Sequence, residues 1–303
     1  MRVAAHLLLF AAITAAATPV LVAQEADQQP AVSADQPVFR SSVEMVSMAA
    51  VVRTRQGRIV RSLSREDFEV LDAGMPTRLV DVRAEVSAPA SVALLVDSSG
   101  SMRVGHSLDA ARLVADEVLD YLDQGRDEAS LLTFDSRLLE LQEFTRDFEP
   151  IRIRLEDLDA FGTTSLYDAI AQSARTVAPS ARHRRALVVL TDCADTSSTM
   201  SPAEVSAIAS GIDVPVYVFA LASDKTEGPL VDLARWTGGE FFVATNTRRA
   251  TESIQQFIDE LRHQYVLAFE PSETDGWRRV EIRTRRPGLV VRARSWYRSG
   301  TSE

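Results

Sequence analysis

Five consecutive apolar residues, Val92 to Val96, run directly into a carboxylate at Asp97. An uninterrupted apolar run is typical of a strand that is covered on both faces, as in the parallel sheet of an α/β domain. Three serines and a glycine follow at once, before a helical pattern begins near Ser107. Because ligands of such sheets bind beyond the carboxyl ends of the strands, Asp97, Ser99 and Ser101 lie where a binding site is expected.

This oxygen-rich turn allows two interpretations. Ligands that are all oxygen suit a hard divalent cation such as Mg2+, with Mn2+ or Ca2+ as alternatives. Asp and Ser are also frequent at helix N-caps, so the same residues could serve only to start the next helix. An isolated Asp-x-Ser-x-Ser pattern does not separate the two, and the rest of the chain has to decide.

Strand and helix patterns alternate between about residues 90 and 262. Ala186–Leu190 and Val214–Leu221 are further apolar strand candidates, and Thr251–Arg262 is a closing helix. Alternation of this kind predicts an α/β fold, a doubly wound, mostly parallel, Rossmann-like sheet with helices on both faces.

The flanks of this block have β patterns. Phe68–Leu71 and Arg78–Arg83 are joined by Asp72-Ala73-Gly74, which predicts a hairpin. About fifty residues make a marginal core alone, and three more strand candidates follow residue 262. We therefore expect the two ends of the chain to pair into one smaller accessory β domain, built from residues 39–89 and 263–298.

Two further loops with oxygen-bearing side chains could complete a cation site with the first. Gly162-Thr163-Thr164-Ser165 opens a helix, and Thr191-Asp192-Cys193 ends the strand Ala186–Leu190. Strand ends and helix starts of this kind lie on the carboxyl edge of a doubly wound sheet. Three oxygen-bearing clusters on one edge favour a composite cation site over three independent helix caps.

With these three clusters the chain resembles the von Willebrand factor type A domains and their metal-ion-dependent adhesion site. Asp97-Ser98-Ser99-Gly100-Ser101, Gly162 to Asp168, and Leu190-Thr191-Asp192 carry the resemblance. Flanking motifs resemble a bacterial group of exported proteins related to these domains: Arg65 to Val70 with Asp72-Ala73-Gly74, and His263 to Leu267 with Arg286-Pro287-Gly288-Leu289. The sequence departs from the pattern at Thr163 and Cys193, which stand where glycine is usual.

The resemblance implies a role for each site residue. Ser99 and Ser101 would be direct metal ligands, Thr164 a direct ligand in the tightly binding state, and Asp97 and Asp192 would act largely through bound waters. The implied cofactor is Mg2+, with Mn2+ or Ca2+ possible, and the implied partner is a protein that supplies an Asp or Glu carboxylate. The change at Thr163 leaves two candidate threonines, of which the register of Ser165 to Asp168 favours Thr164.

The N-terminus predicts export. Arg2 precedes the apolar stretch Val3–Ala17, and small residues at Ala17 and Ala23 are both suitable for signal cleavage. The expected organisation is a signal peptide at 1–23, a flexible linker at 24–38, the accessory domain at 39–89 and 263–298, the α/β domain at 90–262, and a tail at 299–303. We expect a periplasmic or extracellular protein with no membrane-spanning segment after signal removal.

Several features carry weaker functional signals. The net charge of −10 argues against a nucleic-acid partner. Cys193 is the only cysteine, which excludes an intramolecular disulfide, and we interpret it as a small buried residue.

The rim of the site could include His106, Asp135 and Asp195, but these are ordinary loop residues, and Asp168 favours a helix start. The Arg-rich C-terminal strands are either a solvated face or a surface for an anionic envelope polymer or lipid.

Together these patterns predict a non-enzymatic, metal-dependent binding protein of the adhesion type. Two alternatives remain open. One is a hydrolase that uses the metal to activate water, although the motifs contain no His or Glu placed as a general base. The other is an envelope scaffold whose metal is structural and whose basic C-terminal strands bind the partner.

Overall fold

The computed structural model of the chain describes residues 45–86, 88–180, 184–222, 228–272 and 276–299. The signal peptide, the linker and the end of the C-terminal tail that the sequence predicts lie outside these residues. None of the helices in the described ranges is long and apolar enough to cross a membrane.

The first part of the chain forms strands. They are β1 Val46–Thr54, β2 Phe68–Asp72, β3 Met75–Pro76 and β4 Leu79–Val86, with a short 3-10 turn at Arg65–Asp67. Ser64 begins that turn with a capping box in which the Asp67 carboxylate accepts the Ser64 N–H, the helical turn that the sequence pattern indicates.

The middle of the chain alternates between strands and helices. Its elements are β5 Ala90–Asp97, α1 Ser107–Asp120, β6 Glu128–Phe134, β7 Leu138–Thr145, α2 Glu149–Glu156, α3 Leu166–Ser180, β8 Arg184–Thr191, α4 Pro202–Gly211, β9 Val216–Ala220, α5 Pro229–Trp236, β10 Phe241–Val243 and α6 Thr247–Arg262. The last strands are β11 His263–Phe269, β12 Gly276–Thr284, β13 Leu289–Ala293 and β14 Trp296–Ser299.

The central sheet has the strand order β10-β9-β8-β5-β6-β7 and is parallel except at the β6–β7 edge. Every residue of β5 is buried. Leu94 and Val96 face a core shared with α1, α2 and α6, whereas Ala93 and Leu95 face a core shared with α3, α4 and α5. Burial on both faces explains the unbroken apolar run, and the doubly wound fold that the sequence predicts is confirmed.

The flanking strands form two antiparallel sheets, with the orders β13-β1-β11-β4 and β14-β12-β2-β3. Strand β1 pairs with both β11 and β13, and β2 pairs with β12, so both ends of the chain contribute to each sheet. Met48, Phe68, Tyr265, Phe269 and Tyr297 pack between the sheets. This sandwich fits the predicted accessory β domain.

The structure corrects the expected hairpin between Phe68–Leu71 and Arg78–Arg83. Ala73 and Gly74 both have positive φ, which makes a tight turn from β2 into the two-residue strand β3. Strand β4 then crosses to the other sheet and pairs with β11 along its length. Helix α6 begins at Thr247 rather than at the expected Thr251, because Asn246 caps it. Strand β14 was not expected from the sequence.

Candidate functional site

Asp97 ends β5 at the carboxyl edge of the central sheet and is completely buried. Its Oδ1 accepts the Ser99 N–H at 2.9 Å, and its Oδ2 accepts the Thr191 hydroxyl at 2.7 Å. The Ser99 and Ser101 Oγ atoms are 3.0 Å apart. One carboxylate therefore orders the serine loop after β5 and joins it to the end of β8.

The loop before α3 contacts the same serine loop through its backbone. The Ser98 carbonyl accepts the Phe161 N–H at 2.7 Å, and the Gly162 carbonyl accepts the Gly100 N–H at 3.1 Å. Gly162 has φ +78°, a conformation that glycine adopts without strain. These two hydrogen bonds hold the loop before α3 against the serine loop.

The two candidate threonines differ in burial. Thr164 is 2% exposed, whereas Thr163 is exposed to solvent and its hydroxyl accepts a hydrogen bond from Ser197. The Thr164 carbonyl accepts the N–H groups of Thr196 and Ser197, both at 3.0 Å, which holds its backbone in place. Among the described residues the Thr164 hydroxyl has no hydrogen-bond partner, whereas the Thr163 hydroxyl has one.

Asp192 follows β8 and is half-buried. Its Oδ1 accepts the Ala194 N–H at 3.0 Å, and the Cys193 N–H donates to the Thr191 hydroxyl at 3.0 Å. Burial, reinforced by the charges of Asp192 and Asp97, raises the pKa of the Cys193 thiol to about 12. The thiol is therefore protonated at neutral pH. Cys193 is half-buried rather than buried as the sequence suggested, and it packs against the core beside α3, α4 and α5.

The site concentrates negative charge. Burial raises the pKa of the Asp97 carboxyl above its usual range, and the neighbouring Asp192 charge raises it further. Within the described part of the chain neither carboxylate forms an ion pair with an Arg or His side chain. Buried carboxylates without a counter-ion are unfavourable unless a cation compensates them.

The donor set fits a hard cation. Two carboxylates and three hydroxyls, from Asp97, Asp192, Ser99, Ser101 and Thr164, supply only oxygen, which Mg2+ prefers. No group of three or more His, Cys, Asp or Glu side chains in the described ranges is arranged to hold a metal. Any cation at this edge would therefore depend on the serine and threonine hydroxyls as well as on the two carboxylates.

Other residues at the rim have structural roles. His106 is exposed, stands at the start of α1 with φ +61°, and lies 3.3 Å from the Asp109 carboxylate. The Asp135 Oδ1 accepts the Arg137 N–H at 2.8 Å, and its carboxylate packs against Gly162. Neither side chain completes the cluster.

Sequence reasoning missed how the segment 195–200 supports the site. The Asp195 Oδ1 accepts the Leu166 N–H at 3.0 Å, and the Asp168 carboxylate accepts the N–H groups of Thr199 and Met200 at 3.0 and 2.8 Å. Partial burial acts to raise the pKa of Asp168, but these hydrogen bonds outweigh it and lower the pKa. The hydroxyl-rich run from Asp195 to Ser201 is the signal that could have indicated this support.

Comparisons with known proteins agree with this architecture. Residues 92–195 match the model of the von Willebrand factor type A domain. That segment begins within β5 and includes all three loops of the cluster. A search of the curated proteins finds no match.

Solved structures with a similar fold come from diverse organisms. Proximal thread matrix protein 1 from the mussel byssus aligns with a TM-score of 0.50 at 12% identity, over 69% of this chain and 50% of that one. The von Willebrand factor type A protein from Catenulispora acidiphila aligns at 0.48 and 14%, over 79% and 76%. The conserved hypothetical protein BatB from Bacteroides thetaiotaomicron aligns at 0.48 and 18%, over 57% and 98%. At these identities the similarity concerns the fold.

A doubly wound sheet with an oxygen-rich cluster at its carboxyl edge defines a class of α/β binding domains. The chain contains a von Willebrand factor type A domain, and that domain is flanked by a β-sandwich built from both ends of the chain. Domains of this family are generally protein-interaction modules, which agrees with a non-enzymatic role.

Proposed function

We propose that the protein binds a protein partner through a divalent cation held at the carboxyl edge of the central sheet. The observation that carries the proposal is the buried Asp97 carboxylate, which has no counter-ion among the described residues, is influenced by the Asp192 charge and lies beside the paired Ser99 and Ser101 hydroxyls. Mg2+ bound by such a set would be electrophilic and would accept a carboxylate of the partner as a further ligand.

The side chains around the cluster suit an acidic partner. Ser99, Ser101 and Thr164 are neutral donors, so the negative charge of the site comes from Asp97 and Asp192 alone. On the rim, the Arg103 guanidinium lies 4.3 Å from the centre of the Phe161 ring, and Phe161 is 58% exposed. This pair offers an apolar surface and a positive charge beside the position of the partner carboxylate.

Metal binding is the first test of the proposal. We expect calorimetric titration to detect Mg2+ and Mn2+ binding to the wild type, and Ser99→Ala to weaken it by at least about tenfold because a ligand is removed. Ser136→Ala is the matched control, since the exposed Ser136 hydroxyl bonds only to the adjacent Asp135. Unchanged metal binding by Ser99→Ala would contradict the site.

Partner capture is the second test. Immobilised wild-type protein should retain a partner from an envelope extract with Mg2+, and release it with a chelator. Ser99→Ala should not retain it, although its thermal unfolding without metal should match that of the wild type.

Capture that persists under chelation and is lost when basic residues of β12–β14 are replaced would support the scaffold alternative. Metal-dependent turnover of phosphoesters or peptides would support the hydrolase.

The proposal includes export from the cytoplasm. It rests on Arg2 and the apolar stretch Val3–Ala17, which have the layout of a secretory signal. N-terminal sequencing of the mature protein would distinguish cleavage after Ala17 from cleavage after Ala23. An uncleaved, cytoplasmic product would contradict export without affecting the metal site.

A further inference from the structure

All three tryptophans of the chain line one groove on the side of the molecule. Trp236 ends α5, Trp277 lies on β12 and Trp296 lies on β14. Helix α4 supplies the remaining wall through Ala203, Ser206 and Ala207, and the cavity has a volume of about 390 Å³. The groove thus lies between the central domain and the β-sandwich, and it contains none of the residues of the candidate metal site.

The tryptophan rings remain accessible in this groove. Trp236, Trp277 and Trp296 are 37%, 49% and 39% exposed. Gly211 ends α4, and a Cβ atom there would lie 2.1 Å from the Trp277 ring, so the absence of a side chain lets that ring lie against the helix. Three large apolar rings that converge but stay half open are unusual for a surface without a ligand.

The indole N–H groups of the groove are hydrogen-bond donors without a partner in the described structure. Ser206 is only 2% exposed, yet its hydroxyl also makes no hydrogen bond. The indoles are the accessible donors, so this surface fits a ligand that brings hydrogen-bond acceptors.

Two arginines lie on the same strand face as two of the tryptophans. In the pairing of β12 with β14, Trp277 is opposite Arg298, and Trp296 is opposite Arg279. Directly opposite residues of an antiparallel pair share a face, so Trp and Arg alternate across it. Arg279 and Arg298 are exposed, and neither forms an ion pair with a described residue. The apolar groove therefore adjoins two arginines on the same strand face, of which Arg279 also interacts electrostatically with Glu281.

We propose that this groove binds an acidic, proline-containing peptide segment of a partner protein in the polyproline II conformation. Aromatic-lined grooves recognise this conformation because it is already extended and displays its carbonyl groups, with about three residues per turn. Proline rings pack between the indoles, carbonyls accept from the indole N–H groups, and acidic residues pair with Arg279 and Arg298. A sugar also stacks on tryptophan, but a neutral sugar would bring no counter-charge for Arg279 and Arg298.

The three tryptophans themselves report on the site. We would titrate the protein with an acetylated, amidated peptide of repeated Asp-Pro-Pro units and follow intrinsic fluorescence and heat. We expect a saturable shift of the emission maximum, and at least about a tenfold weaker affinity for Trp277→Ala and for Trp296→Ala, since exposed aromatic anchors dominate such contacts. Tyr121→Ala, on the opposite face of the central sheet, should bind like the wild type, and circular dichroism would verify that each variant is folded.

Control ligands separate the alternatives. A repeated Asp-Gly-Ser peptide has the same charge without proline, and equal binding of it would reduce the site to electrostatic attraction and overturn the proposal. A saturable response to a chitin or cellulose oligosaccharide, with none to the proline peptide, would also overturn it. Peptide binding should persist in chelator and in the Ser99→Ala protein, so this inference and the proposed metal-dependent function can fail separately.

Discussion

At the residue scale, the turn after β8 shows a local conformational cost. Cys193 has φ +68°, in the left-handed region that residues with a Cβ atom rarely adopt. The Thr191 hydroxyl accepts the Cys193 N–H and donates to Asp97, so the turn is held by hydrogen bonds around the candidate site. A positive φ at this position is a conformation that glycine adopts without strain.

We expect Cys193→Gly to be more stable than Cys193→Ala by about 1 kcal/mol, because only the alanine retains a Cβ atom in the left-handed conformation. Both variants lose the thiol, so their difference isolates the backbone effect. Urea denaturation measures it from the free energies of unfolding. An alanine variant as stable as the glycine variant would show that this turn relaxes to a negative φ.

At the element scale, helix α6 is attached to the sheet at both its apolar face and its end. Ile254, Phe257 and Leu261 are completely buried against the central strands. Arg262, the last residue of the helix, donates to both carboxylate oxygens of the buried Asp127. Asp127 also accepts the Ala90 N–H at 2.9 Å, so one carboxylate joins the end of α6 to the start of β5.

Asp127→Asn should destabilise the protein by about 2–4 kcal/mol, because the largely buried Arg262 loses the nearer of its two counter-charges and keeps only the exposed Asp123 at 3.6 Å. Asp259→Asn, on an exposed carboxylate of the same helix, should cost less than about 0.5 kcal/mol. Urea denaturation at neutral pH measures both changes. Equal stability of the two variants would contradict the anchoring role of Asp127.

The same pair predicts a pH dependence. Burial acts to raise the pKa of Asp127, but hydrogen bonds from Arg262 and from the N–H groups of Asp123 and Ala90 outweigh it and lower the pKa. A carboxyl whose folded-state pKa is depressed stabilises the fold above its unfolded pKa of about 3.9, and this stability is lost as the pH falls through the folded value. The wild type should therefore lose more stability than Asp127→Asn between neutral pH and about pH 3.

At the scale of the whole molecule, buried charges join the β-sandwich to the central domain. Glu260 of α6 is completely buried and contacts Arg53 of β1 and Arg292 of β13. Arg292 also contacts Glu240, which precedes β10. Since both arginines lie on one sandwich sheet and both acids belong to the central domain, this network fixes how the sandwich sits against α6.

Glu260→Gln should destabilise the protein by about 3–5 kcal/mol, because two largely buried guanidinium groups lose a shared counter-charge. Replacing all three groups together, as Glu260→Leu with Arg53→Met and Arg292→Met, should recover most of this loss, since hydrophobic substitutes avoid burying charge. Glu252→Gln, at an exposed pair on the same helix, is the control. A triple variant less stable than Glu260→Gln would show that the charges are required for more than mutual compensation.

Much of the fold and of the candidate site could be predicted from short stretches of sequence. The apolar run before Asp97, the capping box at Ser64 and the spacing of the three loops depend on residues a few positions apart. Local periodicity also placed the strands and helices of the central domain, although α6 begins earlier and β14 was missed. These features can be predicted from the sequence because backbone conformation and helix capping depend mainly on adjacent residues.

The sequence predicts the pairing of distant strands only in outline. The turn at Ala73 and Gly74 suggested a long hairpin, whereas β4 pairs with β11 almost two hundred residues later in the chain. The convergence of Trp236, Trp277 and Trp296, and the contacts of Asp127 and Glu260 with distant arginines, have no local signal either. The stability of such contacts depends on burial and on the loss of solvent around charges, and both arise only when the chain has packed.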